Sequence, residues 1–268
     1  MSAIGTRKDP KSNIRVFDEV TDAYVDLSLM PSEHRLLQLL GERLHEMEML
    51  DLGVGTGRTG YTFAPLVRRY VGLDASPRML ERARALLGDD ENVELVEGNA
   101  RDLTEVTEPF DLVLFSFNGL DALDHEDRLR TLKEVHRVLR PGGYFLFSSH
   151  SLGALPLDTH MRRSPQLAGR RLYEIYAKGR EVLYARRVRR VNRGLDINAA
   201  RQRGWTIVPE VGHGFRIDDH YVDPQHQTEQ LRELGFEVEA LYDEQGRTVT
   251  LPYQGPSPWI DYLCRAAD

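Results

Sequence analysis

The sequence predicts an α/β fold built on a mostly parallel sheet. Three observations carry that expectation. From residue 47, short apolar runs alternate with amphipathic helical stretches. The first run opens directly into a glycine-rich turn. Each run also leads into a polar residue, in turn Asp51, Asp74, Asn99, Ser116 and His150. Right-handed crossovers bring parallel strand ends to one edge, where open α/β sheets bind ligands.

Residues 1–31 are mixed and polar, with a short apolar cluster at Val16, Phe17 and Val20. A helix follows, with Ser32 as its expected cap and Leu36, Leu37, Leu39, Leu40 and Leu44 as its apolar face. Met47–Leu50 is the first strand and Tyr70–Leu73 the second. Ser76 then caps a helix that has Pro77 at its first position. Val93–Val96 and Phe110–Phe115 are the third and fourth strands. Asp124 caps the next helix, where Leu129, Leu132, Val135, Val138 and Leu139 recur at helical spacing. Pro141-Gly142-Gly143 is its expected stop, and Tyr144–Ser148 the fifth strand.

Beyond residue 150 the rhythm breaks. Residues 151–223 hold turns, many arginines and short expected strands such as Val182–Val191, and read as an insertion. A helix at Pro224–Leu234, a stop at Gly235, and strands at Phe236–Tyr242 and Trp259–Cys264 resume the order. The expected organisation is therefore a helical cover at 1–46, a core at 47–150, a lid at 151–223 and completion of the core sheet at 224–268.

Composition narrows the function classes. The 268 residues suit one domain with a modest elaboration. A net charge of -7 disfavours a generic nucleic-acid or anionic-membrane binder. The single cysteine, Cys264, excludes an intramolecular disulfide framework and a cysteine-based zinc site. Met1 to Pro10 has no apolar signal region, and no stretch approaches 18 apolar residues. A cytoplasmic protein without a membrane span is the expectation. The nine histidines form no tight cluster, so no metal is expected.

The sharpest motif is Asp51-Leu52-Gly53-Val54-Gly55-Thr56-Gly57, between a strand and a helix. Glycines there permit a tight turn and close approach of a ligand to the backbone. Gly72-Leu73-Asp74 ends the second strand, and Glu97-Gly98-Asn99-Ala100 follows the third. Phe110-Asp111-Leu112-Val113 and Val138-Leu139-Arg140-Pro141-Gly142-Gly143 complete an ordered set. Together these resemble the class I S-adenosylmethionine-dependent methyltransferases, well over 47–150 and more loosely over 224–265. The resemblance implies a Rossmann-like sheet, mostly parallel with an antiparallel last strand, and S-adenosylmethionine as cofactor.

It also implies a site. Asp51 suits the cationic methionyl end, while Arg58 either faces the carboxylate or is a solvated helix residue. Asp74 would accept both ribose hydroxyls. Ala75, Met79 and Ala100 would lie by the adenine, with the Asn99 amide oxygen accepting from its amino group. Asn99 departs from the aspartate usual in the family. Ser116, Phe117 and Asn118 would flank the methionyl group, with Phe117 equally readable as core. Similar N-terminal segments close over the cofactor, which makes Tyr24 a candidate for the sulfonium or substrate.

Methyl transfer needs a base only when the acceptor must lose a proton. His150, ending the fifth strand, is the first candidate base. Tyr221 is a candidate for orienting substrate, or a packed aromatic.

Charge is distributed unevenly. Residues 160–205 carry 13 Lys+Arg against three acids, a net of +10; the rest carries 22 against 39, a net of -17. That segment reads as a solvated ribbon, as a lid for an acidic small molecule, or as an RNA-binding surface with Tyr173, Tyr176 and Tyr184. A small-molecule N- or O-methyltransferase is the leading expectation. An RNA or protein methyltransferase, and a cofactor-binding regulator without turnover, are the alternatives. The sequence leaves the oligomeric state open.

Overall fold

The apolar runs pair into one sheet: β1 (Glu48–Leu52), β2 (Arg69–Asp74), β3 (Val93–Glu97), β4 (Phe110–Phe115), β5 (Leu139–Ser151), β6 (Trp205–Pro209), β7 (Asp218–Val222), β8 (Phe236–Asp243) and β9 (Trp259–Ala266). This computed structural model describes residues 10–21, 26–155, 183, 186–188, 190–209 and 215–267. The strand order is β3-β2-β1-β4-β5-β7-β6. All neighbours from β3 to β7 pair in parallel. The last strand, β9, runs antiparallel against both β5 and β8.

The helices are α1 (Pro10–Val20), α2 (Pro31–Leu40), α3 (Arg58–Phe63), α4 (Pro77–Leu87), α5 (His125–Val138), α6 (Ile197–Arg203) and α7 (Pro224–Glu233). Strand side chains alternate between the sheet's two faces, so two cores form. On one face Leu50, Val71, Val113 and Phe145 pack under Leu132, Val135 and Val138 of α5. On the other, Met49, Tyr70, Leu112 and Leu146 meet Leu36 and Leu40 of α2, Phe63 of α3 and Leu80 of α4. Phe145, Phe147 and Tyr262 form a stacked row, with centroid separations of 4.7 and 4.9 Å.

Two caps are as expected. Ser76 Oγ accepts from Met79 N at 3.1 Å, and Asp124 accepts from Asp127 N at 2.9 Å. Ser32 is not a cap: α2 begins one residue earlier, with Pro31 at the first position and Met30 as the N-cap residue. Proline suits that position because its missing N–H has no partner there. The Glu33 carboxylate accepts from Met30 N at 2.7 Å, so the end is closed without Ser32. Ser32 instead hydrogen-bonds the buried Asp261 of β9, tying α2 to the sheet.

Pro141-Gly142-Gly143 also differs from expectation. The helix ends at Val138, and the Pro-Gly-Gly run lies inside β5, where the register against β4 shifts between Phe110 and Leu112. The segment 151–223 is not wholly outside the sheet, because β7 pairs with the end of β5 and β6 lines the edge beyond it.

The expected strand Val182–Val191 is helical wherever it is described, at Leu183, Arg186, Arg187, Val188, Arg190 and Val191. Val188 is buried while Arg186, Arg187 and Arg190 are exposed. A strand would put Arg186 and Arg190 on the buried face with Val188, whereas a helix turns them away. Arginine is also among the stronger helix formers.

Two stability outcomes follow from this packing. Phe145→Ala opens a cavity in the stacked row and should cost about 3–5 kcal/mol, read as a lowered urea midpoint. Burial pushes Asp261 up to about 8. Its folded value therefore exceeds the unfolded one, so its contribution is full at low pH and is lost as pH rises through about 8. Asp261→Asn should gain stability relative to the wild type between pH 5 and pH 8. Parallel urea midpoints at the two pH values would contradict that.

Candidate functional site

The loop after β1 needs its glycines. Gly53, Gly55 and Gly57 all have positive φ, at 65°, 58° and 93°. Side chains with a Cβ rarely adopt that region. Gly53 N and Val54 N both donate to Leu73 O, at 2.8 and 3.1 Å, which holds the turn against the end of β2. Gly55 N donates to Asp74 Oδ2 at 2.8 Å, and Ser76 N to Asp74 Oδ1 at 2.8 Å. Desolvation raises the Asp74 pKa above the usual carboxylate value, while these N–H groups pull it down.

Asp51 lies beneath the loop rather than in the cavity. It is 1% exposed, accepts from Tyr70 Oη at 2.6 Å and also accepts from Thr59 Oγ1. Burial pushes its pKa up to about 6, against the pull of those two hydroxyls. The carboxylate pins α3 and β2 under the glycines. Gly57 begins α3, and an added Cβ there would sit 3.4 Å from Ala83, Leu86 and Leu87 of α4. It too lies outside the cavity lining.

The cavity opens at the carboxyl edge of the sheet and measures about 340 Å³. One end is formed by Asp74, Ala75, Met79, Asn99 and Ala100. Gly53, Gly55, Ser116, Phe117 and Asn118 form the middle, with His150 beyond them. Eleven residues anticipated from the sequence are thus brought together. The Asn99 oxygen, however, is turned to Arg101, accepting from its N at 3.1 Å and its Nε at 2.9 Å. Arg101 is held in turn by Asp127 at 2.7 Å.

Arg58 does not line the cavity. Its guanidinium makes a two-pronged pair with Glu33, 2.7 Å on each prong, and donates to Ser116 Oγ at 2.9 Å. Ser116 Oγ also donates to Glu33. Arg58 is thus neither solvated nor turned to a ligand carboxylate: it pairs with a carboxylate of α2, which locks α2 onto the end of β4. Phe117 and Asn118 both adopt left-handed backbone, at φ 54° and 58°. Two consecutive non-glycine residues there mark a strained turn of the kind found at ligand sites. Phe117 is 60% exposed, so it is not a core residue.

His150 meets Asp121, a residue without a motif of its own. Its Nδ1 lies 2.9 Å from Asp121 Oδ2, and its backbone N donates to the same oxygen at 2.6 Å. Asp121 sits in a single helical turn at Gly119–Ala122 and is fully buried. Its other oxygen accepts from Ser149 Oγ at 2.7 Å and from Arg128. His150 Nε2 lies 3.3 Å from Asn118 Nδ2. Tyr221 stacks on the His150 ring at 4.8 Å and is outside the cavity lining, as its packed-aromatic alternative requires. Its neighbour His220 points away, into a stack with His125 and Trp205.

Other walls were not anticipated from the sequence. Asn13, Ile14 and Phe17 of α1 close one side, and Ile217 and Asp219 another. Asn13 Nδ2 donates to Ala122 O at 2.9 Å. The spacing Asn13, Ile14, Phe17 is one helical face, a signal available in the sequence. Tyr24 lies outside the described residues. Among the described residues no three His, Cys, Asp or Glu side chains stand close enough to hold a metal, and no helix is long and apolar enough to cross a membrane.

Comparison with known proteins agrees with this geometry. Residues 49–143 match the family model described as a methyltransferase domain. A demethylmenaquinone methyltransferase of Chlorobaculum parvum is 30% identical over 182 residues, covering 63% of this chain and 68% of that protein. A cypemycin N-terminal methyltransferase of Streptomyces is 36% identical over 140 residues, covering 49% and 55%. The chain spans from 41% to 66% of the length of five of its curated relatives. The CcbJ methyltransferase of Streptomyces caelestis shares the fold, with a TM-score of 0.62 at 20% identity over 97% of this chain and 100% of that one. With its glycine loop, its strand-edge acid and its antiparallel last strand, the chain belongs to the class I S-adenosylmethionine-dependent methyltransferase superfamily.

Proposed function

We propose that the protein transfers a methyl group from S-adenosylmethionine to nitrogen or oxygen of a small molecule. The observation that carries this is the single cavity wall running from the Asp74 carboxylate, past the glycine loop, to His150. Its volume, about 340 Å³, is at the lower end of the ~300–1,000 Å³ typical of small-molecule sites.

The residues fit the cofactor chemically. Asp74 accepts from Gly55 N on one oxygen and Ser76 N on the other, with Ala75 N a third backbone donor, which leaves acceptor capacity on the carboxylate for a ribose hydroxyl. Ala75, Met79 and Ala100 supply apolar contacts suited to an adenine, and Asn99 would meet it by its amide NH2. Asn118 Oδ1 is buried without a partner among the described residues, which suits an acceptor for the methionyl ammonium. Ser116 and Phe117 would flank the same group. Arg58 and Asp51 would act indirectly, by fixing α2 and the loop. When bound, the cofactor supplies an activated methyl group on a sulfonium.

The chain's own residues would then align the acceptor and exclude water. Helix α1 covers one side of the cavity and Ile217 the other, which favours a small acceptor over a polymer. We read residues 1–46 as the cover and 151–223 as the lid over a core completed by 224–268. The +10 charge of 160–205 supports an anionic acceptor, although most of that segment lies outside the described residues. The relatives' names differ in acceptor, so the acceptor class rests on the cavity.

Two measurements test the reading. Titration calorimetry should show S-adenosylmethionine binding, weakened about 10–100-fold by Asp74→Ala, as expected for losing hydrogen bonds to a charged group. Undiminished binding by Asp74→Ala would remove the assignment. Incubation with methyl-labelled cofactor and fractionated extract should label small metabolites. Label confined to RNA or protein would overturn the small-molecule reading.

A further inference from the structure

We propose that Asp121 is a positioning residue that makes His150 a one-way proton acceptor, and that the acceptor molecule therefore carries a dissociable proton, as a hydroxyl or an ammonium does. This rests on the proposed transferase reading and names the substrate class of the same site.

The geometry specifies a tautomer. Asp121 faces donors on both oxygens: it is fully buried against the Arg128 guanidinium, also fully buried, and accepts from Ser149 Oγ and His150 N. A carboxylate so placed can only accept. The ring nitrogen facing it, Nδ1 at 2.9 Å, must therefore carry the hydrogen. Neutral His150 is then a lone pair at Nε2, the nitrogen beside Asn118 Nδ2 on the cavity wall. Asn118 Nδ2 is a donor, which agrees with an accepting Nε2.

The same arrangement resists rotation. Tyr221 covers one ring face at 4.8 Å and fixes the ring plane, while a half-turn within that plane would put a carbon in place of Nδ1 against the carboxylate and lose that hydrogen bond. Arg128 is itself held by Gln227 of α7 and by Ser149 Oγ at 2.9 Å. The dyad is thus braced by α5, α7 and β5 together. Among the described residues, the charged and titratable groups around His150 include Asp121 from the helical turn, Arg128 from α5, and Tyr221 and Asp219 from β7.

The proton step balances. The acceptor's X–H bond breaks and its proton goes to His150 Nε2. Its electron pair would enter the new X–CH3 bond as the sulfur–methyl bond of the bound cofactor breaks, the pair of that bond staying on sulfur and cancelling the sulfonium charge, and the positive charge would appear on the imidazolium. Asp121 then faces a cation at hydrogen-bond distance, which lowers the cost of that charge. An acceptor that already presents a bare lone pair would leave the dyad without work.

The test reads the ring directly and needs no acceptor. Long-range proton–nitrogen NMR of the 15N-labelled full chain, with His150 identified by its loss in His150→Gln, should show the Nδ1–H tautomer in the neutral form. Asp121→Asn should lower the His150 titration midpoint by about one pH unit, tenfold in proton affinity, and mix the tautomers. Because Asp121→Asn leaves Arg128 buried without its counter-charge, the double variant Asp121→Asn with Arg128→Met provides a folded background for the same reading. An Nε2–H tautomer in the wild type, or a midpoint unchanged in either folded variant, overturns the proposal. Calorimetry with S-adenosylhomocysteine on the same samples separates this outcome from failure of the transferase reading, which alone would abolish cofactor binding in the wild type.

Discussion

Parallel pairing from β3 to β7 brings the carboxyl ends of six strands to one edge, and the molecule's chemistry follows from that constraint. A parallel strand cannot return by a short hairpin, so the chain must leave the sheet and cross over, through helices after β1, β2 and β4 and through a helix-free loop after β3. At each exit the ladder stops and polar groups become available. Asp74, Asn99, Ser116 and His150 stand at four such exits and share one cavity. The glycine loop is the same exit at β1, where the backbone itself lies at the cavity wall.

Carboxylates placed below this edge hold it in shape. Asp51 joins Thr59 and Tyr70 under the glycine loop, and Glu33 joins Arg58 and Ser116 at the rim. Asp121 joins Arg128, Ser149 and His150 at the far end. Each is buried or nearly so, and each satisfies several donors from different elements. An uncompensated charge in such a place would be costly, so these groups restrict how the covering helices and the loops can sit. A cavity wall assembled this way is rigid where a ligand must be aligned.

Much of the architecture was legible because it repeats a local pattern. Short apolar runs marked the strands, and Ser76 and Asp124 marked helix starts by side-chain chemistry that acts within three residues. Where the reading failed, the deciding contact was distant. Ser32 was chosen as a cap by its type, but Glu33 and Pro31 close the helix and Ser32 serves Asp261 more than 200 residues away. The arginine-rich stretch 182–191 alternates poorly, and only the burial of Val188 among exposed arginines shows why its described residues are helical.

The sequence by itself determined the strand–helix alternation, the glycine loop and the polar strand ends, because each depends on neighbours along the chain. Tertiary structure alone decided which of those polar groups face the cavity. Asp51 and Arg58 were plausible ligand groups by position, yet one is spent on Thr59 and Tyr70 and the other on Glu33. Asp121 had no motif of its own, and it became a partner of His150 only when a turn after β4 met the end of β5. A carboxylate's role is set by which donors reach it first, and those donors come from elements that are far apart in the chain.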